Sequence, residues 1–228
     1  RAGERDRRHI CRLPERRPGM NETLEICETF LSIQGESTFA GVPCFFIRLA
    51  GCNLRCRYCD TPYARAPGRR MTVDALADEF RRAGVRTAEV TGGEPLLQAA
   101  TPGLVRALLP LGTVLIETNG TMDISTLPPD AIAIMDIKCP GSGCSEATDW
   151  CNVERLRPHD EVKFVVESRG DYEWARDVAL RHKLAERCRA VLFSPTHGRL
   201  APDELAGWIL ADRLNARLNM QLHKLIWP

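Results

Sequence analysis

Residues 44–60 read Cys-Phe-Phe-Ile-Arg-Leu-Ala-Gly-Cys-Asn-Leu-Arg-Cys-Arg-Tyr-Cys-Asp, an apolar run that breaks at Gly51 into a loop crowded with thiols. Cys44 to Leu49 has strand length and is rich in aromatic and branched side chains. After it, Cys52, Cys56 and Cys59 follow one another with three and then two intervening residues. Thiolates so close in sequence can converge on one soft centre. A structural zinc site closes its tetrahedron with a fourth ligand, yet the next cysteine is Cys139 and the next histidine His159. Three thiolates make an open site. Iron–sulfur clusters take cysteine thiolates, normally one per iron, so a cubane held by three leaves one iron able to bind something else.

Working outward, strand-length apolar runs recur at Thr87–Thr91, Thr113–Glu117, Ile132–Ile137, Val162–Val166 and Ala190–Phe193. Most read as apolar on both faces, the pattern of parallel strands covered by helices. Helical patterns lie between them: one capped by Thr72 and reaching Ala83, one opened by Pro95 and ending near Leu109, and two more over 171–182 and 202–218. This alternation predicts an α/β fold with a parallel sheet. Gly120–Ala131 and Cys139–Asp160 carry no obvious helix, so six strands with reduced helix content predict a modified, incomplete (β/α) barrel. There is no internal repeat, and 20–228 reads as one domain.

Composition narrows the class. Of 228 residues, 44% are hydrophobic and 27% charged, ordinary values for a globular chain. No apolar run approaches the ~20 residues of a membrane span. Lys plus Arg number 31 against 30 for Asp plus Glu, which gives no global field for nucleic acid or anionic membrane. Residues 1–18 carry seven Arg, a local +4. With no apolar stretch to make a secretory signal, 1–19 read as a disordered extension, an upstream start or an expression remnant. Ten cysteines without such a signal point to a reducing, cytoplasmic setting, where clustered thiols bind metal or react.

Polar segments close the strands in order: Thr91-Gly92-Gly93-Glu94-Pro95, Glu117-Thr118-Asn119-Gly120, Asp136-Ile137-Lys138 and Ser194-Pro195-Thr196. Ligands bind at the carboxyl ends of parallel strands, so these read as one site. Arg48 lies inside an apolar strand and needs an anion; a substrate carboxylate and a structural Asp or Glu on a neighbouring strand stand about even.

The cysteine spacing, with Tyr58 just before the third Cys, resembles the cluster loop of the radical S-adenosylmethionine (SAM) superfamily. The resemblance implies a 4Fe–4S cluster on Cys52, Cys56 and Cys59, whose free iron chelates SAM, and a 5′-deoxyadenosyl radical as the reagent. In that superfamily the Gly-Gly-Glu-Pro segment holds the SAM amino group; the residues so implied are Tyr58, Gly93, Glu94, Thr118, Asn119, Asp136, Lys138, Ser142, Ser194, Pro195 and Thr196. Within it, Glu28–Ser37, Gly41, Phe45–Leu49, Cys59-Asp60-Thr61-Pro62-Tyr63 and the tail Leu222–Trp227 resemble the 7-carboxy-7-deazaguanine synthase family over essentially 22–228.

That resemblance implies a lyase of queuosine-precursor biosynthesis. It would convert 6-carboxy-5,6,7,8-tetrahydropterin to 7-carboxy-7-deazaguanine and ammonia, as a homodimer served by an electron donor such as a flavodoxin or ferredoxin. It implies Mg2+ at Thr61, otherwise a turn residue before Pro62. It implies substrate contacts from Ile33, Gln34, Gly35, Glu36, Arg48, Thr91, His223 and the Pro228 carboxylate. Gln-Gly-Glu would otherwise be a surface turn, and His223 a structural residue of a final strand. Ser37 stands where a second Gly is expected. Cys139, Cys144 and Cys151 read as spectators, and Cys27, Cys44 and Cys188 as packed core. Two other functions compete: a glycyl-radical-enzyme activator, which needs a groove for a protein loop, and a zinc-binding module, which would be colourless.

Overall fold

The computed structural model describes residues 22–227, so the extension at 1–19 and Pro228 lie outside the described residues. One nine-stranded sheet runs in the order β3-β1-β2-β4-β5-β6-β7-β8-β9. Its strands are β1 Thr23–Ile33, β2 Pro43–Leu49, β3 Arg69–Thr72, β4 Thr87–Gly92, β5 Thr113–Thr118, β6 Ile132–Asp136, β7 Glu161–Val166, β8 Ala190–Pro195 and β9 Arg217–Leu218. From β2 through β9 neighbouring strands are parallel. Before them, β1 and β3 add an antiparallel edge. The six expected strands are therefore the parallel centre of a partial barrel with few helices.

Those helices are α1 Val73–Ala83, α2 Thr101–Leu108, α3 Cys151–Arg155, α4 Arg169–Arg181, α5 Leu184–Arg187, α6 Pro202–Ala211 and α7 Leu222–Ile226. Thr72 caps α1 as its sequence predicts, accepting from the Ala75 N–H at 3.2 Å, and Gly84 ends the helix in the left-handed region. The helix expected to open at Pro95 is instead a single 3-10 turn followed by α2. Gln98 between them is extended and spans to the bulged part of β1. Its Oε1 accepts from the Glu25 N–H at 2.8 Å, while its Nε2 donates to the carbonyls of Glu25 and Ala50. Satisfying the strand thus interrupts the helix. The helix expected over 202–218 stops at Ala211. Arg213 turns left-handed with φ 48°, and the chain returns to lay β9 beside Leu192 and Phe193. His223 sits on the one-turn α7, not in a final strand.

Strand alternation separates two environments. On the outer face, Ile47, Leu49, Val90 and Ile116 pack with Leu76 and Phe80 of α1 and Leu104 and Leu108 of α2. Val162, Phe164 and Phe193 pack with Tyr172 and Ala175 of α4 and Leu205 of α6. The expectation of strands apolar on both faces fails at the inner face. There the alternate positions are Arg48, Glu89 and Thr91, Glu117, Asp136, Lys163 and Ser194. Glu89 and Lys163 are nevertheless as inaccessible as their apolar neighbours.

Gly92 ends β4 with φ +135°, and a Cβ there would lie 2.1 Å from the Leu49 carbonyl oxygen. Gly92→Ala should therefore cost at least ~2 kcal/mol of folding stability. Urea unfolding of the two proteins measures this, and a loss below ~0.5 kcal/mol would remove the steric explanation.

Candidate active site

A cavity of about 670 Å³ opens where the parallel strands end. The cluster loop forms one wall, fastened to three strand ends. Gly93 and Glu94 donate their backbone N–H groups to Leu49 and Gly51. Arg57 donates its N–H to the Ser142 carbonyl at 3.0 Å. The Asn53 side chain accepts from Asn119 at 3.0 Å and donates to Thr121 at 2.8 Å. A Cβ at Gly93 would lie 1.9 Å from the Gly51 oxygen. The two glycines thus let one strand end approach the next, a need distinct from contact with a ligand.

Cys52, Cys56 and Cys59 all line this cavity. Among the described residues, no group of three His, Cys, Asp or Glu side chains is arranged to hold a single metal ion. An all-thiol donor set on one short loop facing one cavity fits an iron–sulfur cluster. Thr118, Asn119, Asp136, Lys138, Thr196, Tyr58 and Gly93 line the same space. Asp136 Oδ1 and Thr196 Oγ1 are buried there with no hydrogen-bond partner. Buried polar atoms of that kind demand a partner, so these residues fit a polar cofactor.

Four residues expected at this end do not line the cavity. Glu94 is fully buried, and its carboxylate accepts from the Leu96 N–H, the Thr118 hydroxyl and the Asn119 N–H at 2.9, 2.9 and 2.6 Å. It ties β4 to β5 through both of its oxygens. Ser142 is buried in its own turn, donating to the Cys139 carbonyl. Ser194 accepts from Asn219, and Pro195 is buried at the end of β8.

The other end gathers Ile33, Gln34, Gly35, Glu36, Arg48, Thr91, His223 and Thr61 around the same cavity. Arg48 does lie against a carboxylate on the neighbouring strand: its Nε donates to Glu28 at 2.7 Å. It nevertheless borders the cavity, so one partner leaves its remaining donors for another. Gly35 has no room for a side chain, because a Cβ would lie 2.1 Å from His223 Nδ1. Ser37 is accommodated with φ 64°, its N–H donating to Asn219 at 2.8 Å.

The chain matches the profile of the radical SAM superfamily over residues 46–136. A 7-carboxy-7-deazaguanine synthase of Koribacter versatilis is 41% identical over 219 residues, covering 90% of this chain and 97% of the relative. One from Chlorobaculum tepidum is 46% identical over 208 residues, with 90% and 94% covered. The chain belongs to the 7-carboxy-7-deazaguanine synthase family. A crystal structure of QueE from Escherichia coli is similar in fold, with a TM-score of 0.71 and 26% identity over 88% of this chain and 95% of that one. None of these relatives carries the zinc-module or glycyl-radical-activator reading.

Among the charged residues lining this synthase-family cavity, Glu89 and Lys163 escaped the sequence altogether, and Glu117 was read only as part of a strand-closing polar segment. The signal was present, since each is a charge inside a strand, the same mark that singled out Arg48. Lys163 pairs with Glu36 at 2.8 Å, with Glu117, and with Asp136 at 3.7 Å. Burial opposes its charge, but these carboxylates hold its pKa well above the ordinary lysine value. For Glu36, burial pushes upward, yet Lys163 and the hydrogen bonds from Lys163 and Gln221 bring it down to about 2. Glu89 has no such neighbour. Burial first, and the charge of Glu117 second, raise it well above 4.5, against the pull of Lys163 and Arg48.

A carboxyl raised on folding stabilises the protein fully below its unfolded pKa and loses that contribution as pH rises. Glu89→Gln should therefore gain stability over the parent protein as pH increases, by ~1 kcal/mol or more between pH 5.5 and 8. Denaturant titrations at the two pH values test this, and an equal difference at both would show that Glu89 ionises normally.

Proposed function

We propose that this chain is a radical SAM lyase that converts 6-carboxy-5,6,7,8-tetrahydropterin to 7-carboxy-7-deazaguanine with loss of ammonia. The observation that carries the reading is identity above 40% with 7-carboxy-7-deazaguanine synthases over nearly their whole lengths. The joint cavity supports it, because thiols and a set of buried charges meet across a space suited to two small molecules.

When bound, the cluster and SAM supply an adenosyl radical that removes a hydrogen from the carbon bearing the carboxylate. Cys52, Cys56 and Cys59 are the ligands in this reading. Asp136 and Thr196 bring their unpartnered oxygens to SAM. Arg48 supplies guanidinium donors to the substrate carboxylate, while Gln34 and Glu36 read the pterin edge. Lys163 keeps Glu36 an anionic acceptor by standing beside it. Thr61, whose side chain caps nothing, is a hard oxygen ligand for Mg2+.

The wider setting belongs to the same proposal. Arg55 and Arg57 are exposed on the outer side of the cluster loop, a basic approach for an acidic electron donor such as a flavodoxin or ferredoxin. Leu225, Ile226 and Trp227 remain exposed, apolar surface that a second copy would cover in a homodimer. The abundant free thiols suit a reducing cytoplasm. Among the described residues, no helix is long and apolar enough to cross a membrane.

Protein reconstituted without oxygen should bind about four irons per chain and form 7-carboxy-7-deazaguanine from the tetrahydropterin, SAM and reductant; no product overturns the assignment. Cys56→Ala should lose the cluster and SAM cleavage together. Thr61→Ala should keep the iron but weaken the dependence of rate on Mg2+, and an unaltered metal titration would remove its assigned role. Arg48→Ala should raise KM about tenfold or more with iron content unchanged, whereas a fall in thermal stability with normal KM would make Arg48 purely structural.

A further inference from the structure

Gln34 is held at both ends of its amide. The Glu36 backbone N–H, which can only donate, gives its hydrogen to Gln34 Oε1 at 2.8 Å. That contact fixes which end is oxygen and which is nitrogen. Nε2 in turn donates to Glu89 Oε2. Its backbone is also fixed, with the Gln34 N–H donating to Val42 and the Gln34 carbonyl accepting from Gly41. Glu89 cannot move away easily. It is 2% exposed in the middle of β4, with Phe46 and Leu115 as its register partners on either side. Both Gln34 and Glu89 border the cavity.

An amide nitrogen carries two hydrogens. The oxygen accepts from Glu36 and keeps a second lone pair, while the nitrogen, with one hydrogen given to Glu89, keeps one hydrogen and at that end can only donate to a ligand. An acceptor on the ligand would be satisfied there, while an amino group would bring two donors together and leave both unpaired. Glu89 does not need to touch the ligand to impose this.

We propose that Glu89 is a positioning residue that holds the nitrogen end of the Gln34 amide as a donor at the cavity, so that the pocket selects a pteridine edge bearing an oxo group there over one bearing an amino group. This rests on the pterin reading given above and goes further by naming the residue that sets the polarity of one contact. Replacing Glu89 with Leu would keep the apolar surroundings of Phe46 and Leu115 but release the nitrogen end of the amide. Replacing it with Gln keeps an oxygen able to accept.

The test is binding of two stable probes, pterin-6-carboxylate and 2,4-diaminopteridine-6-carboxylate, to cluster-loaded protein in the presence of SAM. The parent protein should prefer the oxo compound by about tenfold or more. Glu89→Leu should reduce the preference to about threefold or less, and Glu89→Gln should restore most of it. Gln34→Met should lose the preference as well, which keeps the inference testable if the Leu variant does not fold. A general structural role for Glu89 would weaken both probes alike and leave their ratio unchanged. An unchanged ratio in Glu89→Leu or Gln34→Met, or no preference in a parent protein that forms product, overturns the inference while sparing the proposed reaction. A parent protein that binds neither probe and forms no product overturns both.

Discussion

The close approach of Gly93 to Gly51 is the contact on which the active end of the sheet depends. It brings the end of β4 against the start of the cluster loop, with no space for even a methyl group between them. Once those backbones touch, Glu94 lies where it can accept from Thr118 and Asn119, and β5 is drawn to the same edge. Asn119 then reaches back to Asn53 in the loop. The three thiols are therefore carried by a loop that is pinned at both ends and in the middle. Preorganisation of this kind matters for a cofactor held by few ligands, since a loose loop would have to be ordered by the cofactor itself.

A second constraint is electrostatic. The inner face buries Lys163 among Glu36, Glu117 and Asp136, and Lys138 against Asp136. Such pairs give little net stability, because the desolvation of each charge offsets their attraction. What they provide is a fixed pattern of donors and acceptors before a ligand arrives. Glu36 and Glu89 share one cavity, yet their environments drive their pKa values in opposite directions, down for Glu36 and up for Glu89. Of these two, Glu36 alone has the Lys163 ammonium within hydrogen-bond distance; Glu89 has an amide and two apolar register partners.

Much of the fold could be read from the chain because helix-covered parallel strands advertise themselves as apolar runs and their helices by caps such as Thr72. The failures have local causes. Gln98 satisfies the irregular part of β1 and so breaks a helix whose own residues would continue it. At Arg213 the chain reverses to build β9, a partner invisible in any local window. Of the residues that line the cavity, the cysteines were legible from their spacing, whereas Gln34 and Glu36 came only from the family resemblance, since Gln-Gly-Glu by itself reads as a surface turn. Glu89 and Lys163 were lost because an alternation of polar positions, each masked by a large apolar neighbour, looks like uninterrupted core.

The difference between Glu94 and Asp136 shows why a motif alone does not assign a role. Both are buried acids at strand ends, Glu94 after β4 and Asp136 closing β6 with β5 between them, and both belong to segments that the family resemblance ties to SAM. Every oxygen of Glu94 is already answered by protein donors. Asp136 spends one oxygen on Lys138 and leaves Oδ1 buried without a partner. Hydrogen bonding saturates, so a carboxylate fully engaged with its own fold has little left for a ligand, whereas an unpaired buried oxygen carries a standing cost that a ligand donor can remove. By that criterion Glu94 builds the wall and Asp136, with Thr196, faces what the wall encloses.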